Sequence, residues 1–331
     1  MITWIAGFML LFLKLGLVLV GLLLFAGWLT FGERRLLGWI QIRLGPNRAG
    51  PFGLLQPMAD IIKLLTKEDT VPEGADRMIF LYAPAVVAST ALLIFAVVPF
   101  GRGLTFWGRE IPLIISDLNV GLLYVLALSS LGVYGVALGG WASNSKFSLL
   151  GSVRAVAQMI SYELSLGLSL VPIVMLSHSF SLVDIVGAQA RVPFILVQPI
   201  SFLIFFVSAM AEIKRIPFDL PEAEHELVAG YHTEYSGMRF GLYFLGEYVT
   251  MVVLGALVAV FFLGGWRGPL LPPILWFFGK VMITAFVMIW LRGTLPRLRY
   301  DQLMHLGWKL LVPVALLNIM VTGAVLLLAG S

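Results

Sequence analysis

The sequence contains no cysteine, and only 12% of its 331 residues are charged. Without cysteine the chain forms no disulfide, holds no thiolate-ligated iron–sulfur cluster and carries no thiol nucleophile. Its four histidines, His178, His225, His232 and His305, avoid the mid-depth of every clear apolar run, so haem ligation has little support. Any electron carrier therefore belongs to another chain. Also missing are a G-x-x-x-x-G-K-[ST] phosphate loop, a dinucleotide fingerprint, zinc-ligand spacing and a Gly-x-Ser-x-Gly elbow. No internal repeat stands out, which counts against a transporter built from duplicated halves.

Apolar residues are what the chain has in quantity, at 60%. A soluble domain carries about a quarter charged residues, and this composition cannot cover its own core with polar surface. Lipid is the solvent implied. A helix needs about 20 mainly apolar residues to cross the hydrocarbon. The expectation is an all-α integral membrane protein, a single membrane domain over 1–331, with about eight transmembrane helices. The spans fall near 4–32, 79–99, 119–141, 157–177, 194–212, 240–263, 274–292 and 308–329. The loops 33–78, 142–156, 213–239 and 293–307 lie on one side. Sixteen of the 22 Lys and Arg residues fall in that set, against four in the opposite loops. The positive-inside rule makes these loops cytoplasmic and puts both termini on the outer face. The first span is too long for the apolar part of a signal peptide, and its basic flank follows it. The net charge of +4 thus reflects orientation and implies no nucleic-acid partner.

Within the first of these loops, residues 54–67 read as an amphipathic helix. Gln56, Asp60, Lys63 and Lys67 share one face, while Leu55, Met58, Ile61, Ile62 and Leu65 fill the other. Such a helix lies in the membrane interface, although an ordinary surface helix fits the pattern equally well. In the fourth span Glu163 sits about 10 Å deep, six residues in at 1.5 Å per residue. A carboxylate at that depth is costly unless paired, hydrated or protonated, and it is a functional candidate by default. The alternative is a packing ion pair with Arg154. Glu212 ends the fifth span and Glu247 lies about seven residues into the sixth, so three acids share roughly one depth. Lys14 and Lys280 also lie within spans; the second is near enough to the outer interface to snorkel.

The third loop is acidic: Glu212, Asp219, Glu222, Glu224, Glu226 and Glu234 fall within about 23 residues. A solvated charge run is the bland reading. Pro217 and Pro221 stiffen the segment, however, and Phe218, Leu220, Leu227 and Val228 are placed to anchor it. Clustered carboxylates raise one another's pKa and can then exchange protons near neutral pH. An autonomous ion transporter and a membrane scaffold both remain open on these features alone.

Several ordered stretches resemble the H-subunit family of bacterial respiratory complex I, counterpart of mitochondrial NADH dehydrogenase subunit one. They are Gly32-Glu33-Arg34-Arg35, Arg43-Leu44-Gly45-Pro46-Asn47-Arg48, Gln158-Met159-Ile160-Ser161-Tyr162-Glu163 and Pro217-Phe218-Asp219-Leu220-Pro221-Glu222-Ala223-Glu224. The likeness continues through Glu234-Tyr235-Ser236-Gly237, Gly246-Glu247-Tyr248 and Leu295-Pro296-Arg297-Leu298-Arg299-Tyr300-Asp301, and covers essentially the whole chain. The resemblance implies a subunit of a proton-translocating NADH:quinone oxidoreductase in the bacterial inner membrane, with no redox centre of its own. It implies a chamber for a quinone substrate, ubiquinone or menaquinone, entered from the bilayer near the first span and the amphipathic helix. NADH, FMN and iron–sulfur sites would belong to hydrophilic partner subunits, with small and antiporter-like membrane subunits alongside and lipid around. By motif, Arg34, Arg35, Asp60 and Lys63 fall at the chamber mouth and wall. Glu163, Glu212, Glu222, Glu224, Glu226 and Glu247 fall on a proton path, and Arg215 and Asp219 bridge the two. Two departures stand out: Ile213-Lys214 occupies a common Thr-Asn position, and the third-span stretch Leu128-Ser129-Ser130-Leu131 lacks the acid some relatives carry. The matching component of a membrane-bound hydrogenase shares the implied architecture.

Overall fold

The computed structural model describes all residues except 1, 102, 107–108, 112, 222–227 and 330–331. In chain order its helices are α1 (Ile2–Ile40), α2 (Gln56–Thr66), α3 (Arg77–Ile94), α4 (Gly121–Ala142), α5 (Lys146–Ser177) and α6 (Leu182–Ala188). They continue as α7 (Phe194–Val197), α8 (Pro199–Glu212), α9 (Gly237–Phe262), α10 (Pro273–Thr294), α11 (Tyr300–His305) and α12 (Val312–Ala329). A short antiparallel ribbon pairs Leu104–Phe106 with Arg109–Ile111. Long apolar runs become helices because hydrocarbon offers the backbone no hydrogen-bond partner, and a helix satisfies its own.

Among the described residues seven helices are long and apolar enough to cross a membrane: α1, α3, α4, α5, α9, α10 and the rod Tyr300–Ala329. The last joins α11 to α12 through a π turn at Leu306–Leu311. The expected span at 194–212 differs. Pro199 and polar Gln198 break it, leaving α8 with 14 residues, about 21 Å at 1.5 Å per residue and short of the roughly 30 Å hydrocarbon. Side chains meet the broken end: Gln198 Nε2 donates to Thr322 Oγ1 at 2.9 Å, and Asn318 Nδ2 donates to Gln198 Oε1 at 3.0 Å. Two further boundaries move. Helix α1 runs past the expected end at 32, so Glu33, Arg34 and Arg35 sit on its last turns and not in a loop. Helix α5 starts at Lys146, eleven residues before the expected 157, and carries Arg154 within it.

Helix α9 is the central element. Its most apolar window is 83% buried, against 11% for α1, whose outer side chains such as Leu13 and Leu17 face outward. A helix apolar all round belongs inside a bundle, and α9 packs on α3, α10, α1 and α2. Gly139 of α4 lets Tyr243 of α9 approach: a Cβ there would lie 2.0 Å from the tyrosine oxygen.

The segment after α8 is tethered from α5. Gln158, fully buried, donates through Nε2 to the carbonyls of Ala211 and Phe218, both at 2.8 Å. Phe218 and Leu220 are buried anchors as expected, but Val228 is exposed. Leu227, with Glu222, Glu224 and Glu226, lies outside the described residues.

Candidate functional site

Helix α2 lies across the gap between α1 and α9. A tight turn at Pro51–Gly53 aims it: Gly53 has φ +80°, and a Cβ there would fall 2.3 Å from the carbonyl oxygen of Pro46. Ile61, Ile62 and Leu65 are exposed, which places the helix's apolar side outward. Behind α2 is a cavity of about 450 Å³. Leu23, Ala26, Leu64, Phe244 and Leu245 supply an apolar wall, and Thr30, Arg34, Asp60, Lys63 and Tyr248 supply polar groups. Arg34 and Asp60 pair at 2.7 Å, and Gln56 Nε2 donates to Asp60 at 2.9 Å. An apolar cleft of several hundred Å³ with a few fixed polar groups is what a small amphiphile needs.

Tyr248 separates this cavity from a buried set of charges. The Arg215 guanidinium stacks 4.1 Å from its ring centre. Glu33, only 2% exposed, accepts hydrogen bonds from both Arg215 and Arg292. Arg215 also reaches Glu247 at 3.9 Å. Burial works against the Arg215 charge, but Glu33, Tyr248 and Glu247 outweigh it and hold its pKa above the ordinary value. Asp219 pairs with Arg297 at 2.9 Å; burial nonetheless raises its pKa, with Arg297 opposing.

On the far side of α9, Glu247 accepts from the Tyr231 hydroxyl at 3.0 Å, and Lys214 Nζ donates to that same hydroxyl at 3.2 Å. His232 packs beside Tyr231 and against Phe240 and Phe244. Burial lowers its pKa to about 4 against the pull of Glu247, with Lys214 adding to the lowering, so the ring is neutral at pH 7. Glu212, Lys214 and Glu247 line one cavity of about 50 Å³, together with Ser129. That is room for water molecules. Glu163 accepts hydrogen bonds from Ser129, at 3.2 Å, and from Ser130. Its carboxyl is near enough to Glu212 for the two to interact. Arg154 is nine residues away on the same helix, about 13 Å along the axis, so the ion pair considered for Glu163 does not form.

The residues singled out from sequence do not form one cluster. Arg34, Asp60 and Lys63 line the large cavity, and Glu212 and Glu247 line the small one with Glu163 adjoining. Arg215 stands between the cavities. Arg35 turns away from both, donating to the Phe52 carbonyl at 3.2 Å and packing on Phe31 and Trp39. Asp219 is held apart by Arg297. Sequence reasoning missed Glu33, Arg292, Tyr231 and Lys214. Glu33 and Arg292 each end a long apolar run and so sit at the depth of the chosen acids, a signal that counting along the chain can find. Nothing in the sequence marks Tyr231 as Glu247's partner, because that contact depends on the chain folding back over α9. The intramembrane lysines cap backbone. Lys14 donates to the Ile114 carbonyl, and Lys280 donates to those of Leu263, Gly265 and Arg267 at 2.6–2.8 Å.

Fold and site together define a multi-pass helical membrane protein in which an apolar cavity abuts a buried network of paired charges. The sequence model of the NADH dehydrogenase family matches residues 13–323. The chain is 71% identical to an H subunit of NADH-quinone oxidoreductase from Syntrophobacter fumaroxidans, over the full length of both. It is 67% identical to an H subunit of the same enzyme from Geobacter sulfurreducens across 95% of each chain. Against the H subunit from Thermomicrobium roseum the identity is 53%, across 98% of this chain and 96% of that one. The chain belongs to the NADH dehydrogenase family, as a membrane component of the H type in NADH-quinone oxidoreductase.

Proposed function

We propose that this chain forms the quinone-access chamber of a proton-translocating NADH:quinone oxidoreductase and couples quinone reduction to proton movement through its embedded acids. The chamber is the cavity behind α2: its apolar wall suits an isoprenoid tail, and Arg34, Asp60, Lys63 and Thr30 suit a polar head on its way to the electron donor. Ubiquinone and menaquinone both have that chemistry. The electrons come from iron–sulfur clusters in hydrophilic partner subunits, which also carry the FMN and NADH sites. Small and antiporter-like membrane subunits lie alongside, in the bacterial inner membrane with both termini outside.

The observation that carries this reading is Tyr248, which lines the chamber on one face and stacks on Arg215 on the other. Arg215 is shared unequally, close to Glu33 and loosely held by Glu247 at 3.9 Å. At an effective dielectric constant near 20, a unit pair at 4 Å is worth about 4 kcal/mol. Negative charge developing on quinone in the chamber draws Arg215 towards it, weakens its hold on Glu247 and invites a proton onto that carboxylate. Glu212 and Glu163 extend the route, and Glu222, Glu224 and Glu226 supply it from the acidic segment. The test is Glu212→Gln and Glu247→Gln in the assembled complex. Quinone-dependent NADH oxidation should fall at least tenfold in each, while reduction of a water-soluble artificial acceptor, made upstream of this chain, persists. Unchanged quinone activity in both variants removes these acids from the mechanism.

A further inference from the structure

Lys214 is the residue in this region whose placement the acid path leaves unexplained. It follows the end of α8 with φ +59°, a left-handed cap position that suits glycine or asparagine and is strained for lysine. Its side chain is 4% exposed and turns onto the Tyr231 ring, Nζ lying 4.6 Å from the ring centre. Buried lysines within a membrane bundle mark ion or proton routes by default. This one stands among groups from three segments: Glu212 at the end of α8, Glu247 on α9, and Tyr231 with His232 on the turn between them.

Two hydrogen bonds in this group run in the same direction. Lys214 Nζ donates to the Tyr231 oxygen at 3.2 Å, and the Tyr231 hydroxyl donates to Glu247 Oε1 at 3.0 Å. We propose that Lys214 and Tyr231 form a proton relay onto Glu247, with Lys214 as the proton donor, so that this lysine is a working member of the coupling route. The step balances within these three groups. Glu247 takes the tyrosine proton, the tyrosine oxygen takes a proton from the ammonium, and the products are a neutral carboxylic acid, an intact phenol and a neutral amine. The cavity of about 50 Å³ beside Glu212, Lys214 and Glu247 gives water access through which the amine regains its proton. A lysine can take this part because its ammonium can lose a proton; an arginine cannot.

The relay rests on the acid path proposed above, and the experiment separates the two. Lys214→Arg keeps the positive charge and removes the transferable proton; Tyr231→Phe keeps the ring and removes the oxygen; Glu247→Gln reports on the path itself. Each is measured in inverted membrane vesicles holding the full complex, as quinone-linked proton translocation per unit of complex assembled on a native gel. The relay requires Lys214→Arg and Tyr231→Phe to fall at least tenfold, alongside Glu247→Gln. If Lys214→Arg translocates at the unmodified rate, the lysine is only a counter-charge and the relay is overturned. If Tyr231→Phe stays within twofold while Glu247→Gln is low, the relay alone fails. If Glu247→Gln is itself normal, the acid path and the relay fall together. Should Lys214→Arg not assemble, the Tyr231→Phe result decides, because that variant leaves the packing intact.

Discussion

Glu33 is almost wholly buried and accepts from two guanidinium groups, Arg215 and Arg292. Removing one partner of a buried charge set costs more than the set contributes, because the remaining charge stays desolvated. Glu33→Gln should therefore cost the assembled protein about 3–5 kcal/mol, read as a lowered thermal midpoint of the purified complex; an unchanged midpoint contradicts the pairing. His232 gives a pH-dependent expectation. Burial holds its pKa near 4, against 6.5 for the free side chain. Between those values the unfolded chain binds a proton that the folded chain refuses, so His232 contributes a loss of stability as pH falls from about 6.5 towards 4. Thermal midpoints compared at pH 7 and pH 5 should differ less in His232→Asn than in the unmodified protein. At this scale the sequence is legible only in part. Glu163, Glu212 and Glu247 declare themselves by depth in an apolar run, which counting along the chain can find. Their partners do not: Ser129 and Ser130 reach Glu163 across a helix contact, and Tyr231 reaches Glu247 through a loop that folds back. Those serines occupy the third-span stretch that lacks an acid, and they supply hydroxyl donors there instead.

Hydrophobic length establishes that a helix exists, and local packing decides where it stops. Helix α1 outruns its apolar stretch because Glu33 finds arginines at the membrane edge. Helix α5 begins early because its first turns pack on other segments: Ser148, Ser152 and Ala155 are buried, and Gly151 lies close against the backbone of Gly230 and Tyr231. Helix α8 is shorter than its apolar run because Pro199 cannot continue the ladder from α7. The amphipathic helix α2 was readable from its period almost to the residue, whereas its aim is set by the turn before it. Gly53→Ala forces a Cβ into the Pro46 carbonyl and must displace α2. Its expected signature is a raised apparent KM for quinone with the complex still assembled; an unaltered KM would separate α2 from quinone entry. At the other end of the bundle, Lys280 supplies donors to three carbonyls just beyond α9. Lys280→Met leaves them without those donors and should cost about 1–3 kcal/mol in unfolding measured in detergent.

Across the whole molecule, the large cavity and the small acid-lined cavity meet different faces of one buried helix, α9, with Tyr248 and Arg215 between them. That juxtaposition gives the protein its proposed work: a substrate that enters from lipid on one side, and a charge shift that is felt on the other. Outward-facing leucines along α1 and α12 leave wide apolar surface for lipid and neighbouring subunits. The central claim is that quinone occupies the space enclosed by α1, α2 and α9. A photoreactive quinone analogue applied to the intact complex, followed by peptide mapping of this chain, tests it most directly. The account predicts labels near Thr30, Leu64 and Phe244, suppressed by excess native quinone. Labels confined to other helices, or labels at these positions that excess quinone leaves untouched, would contradict it.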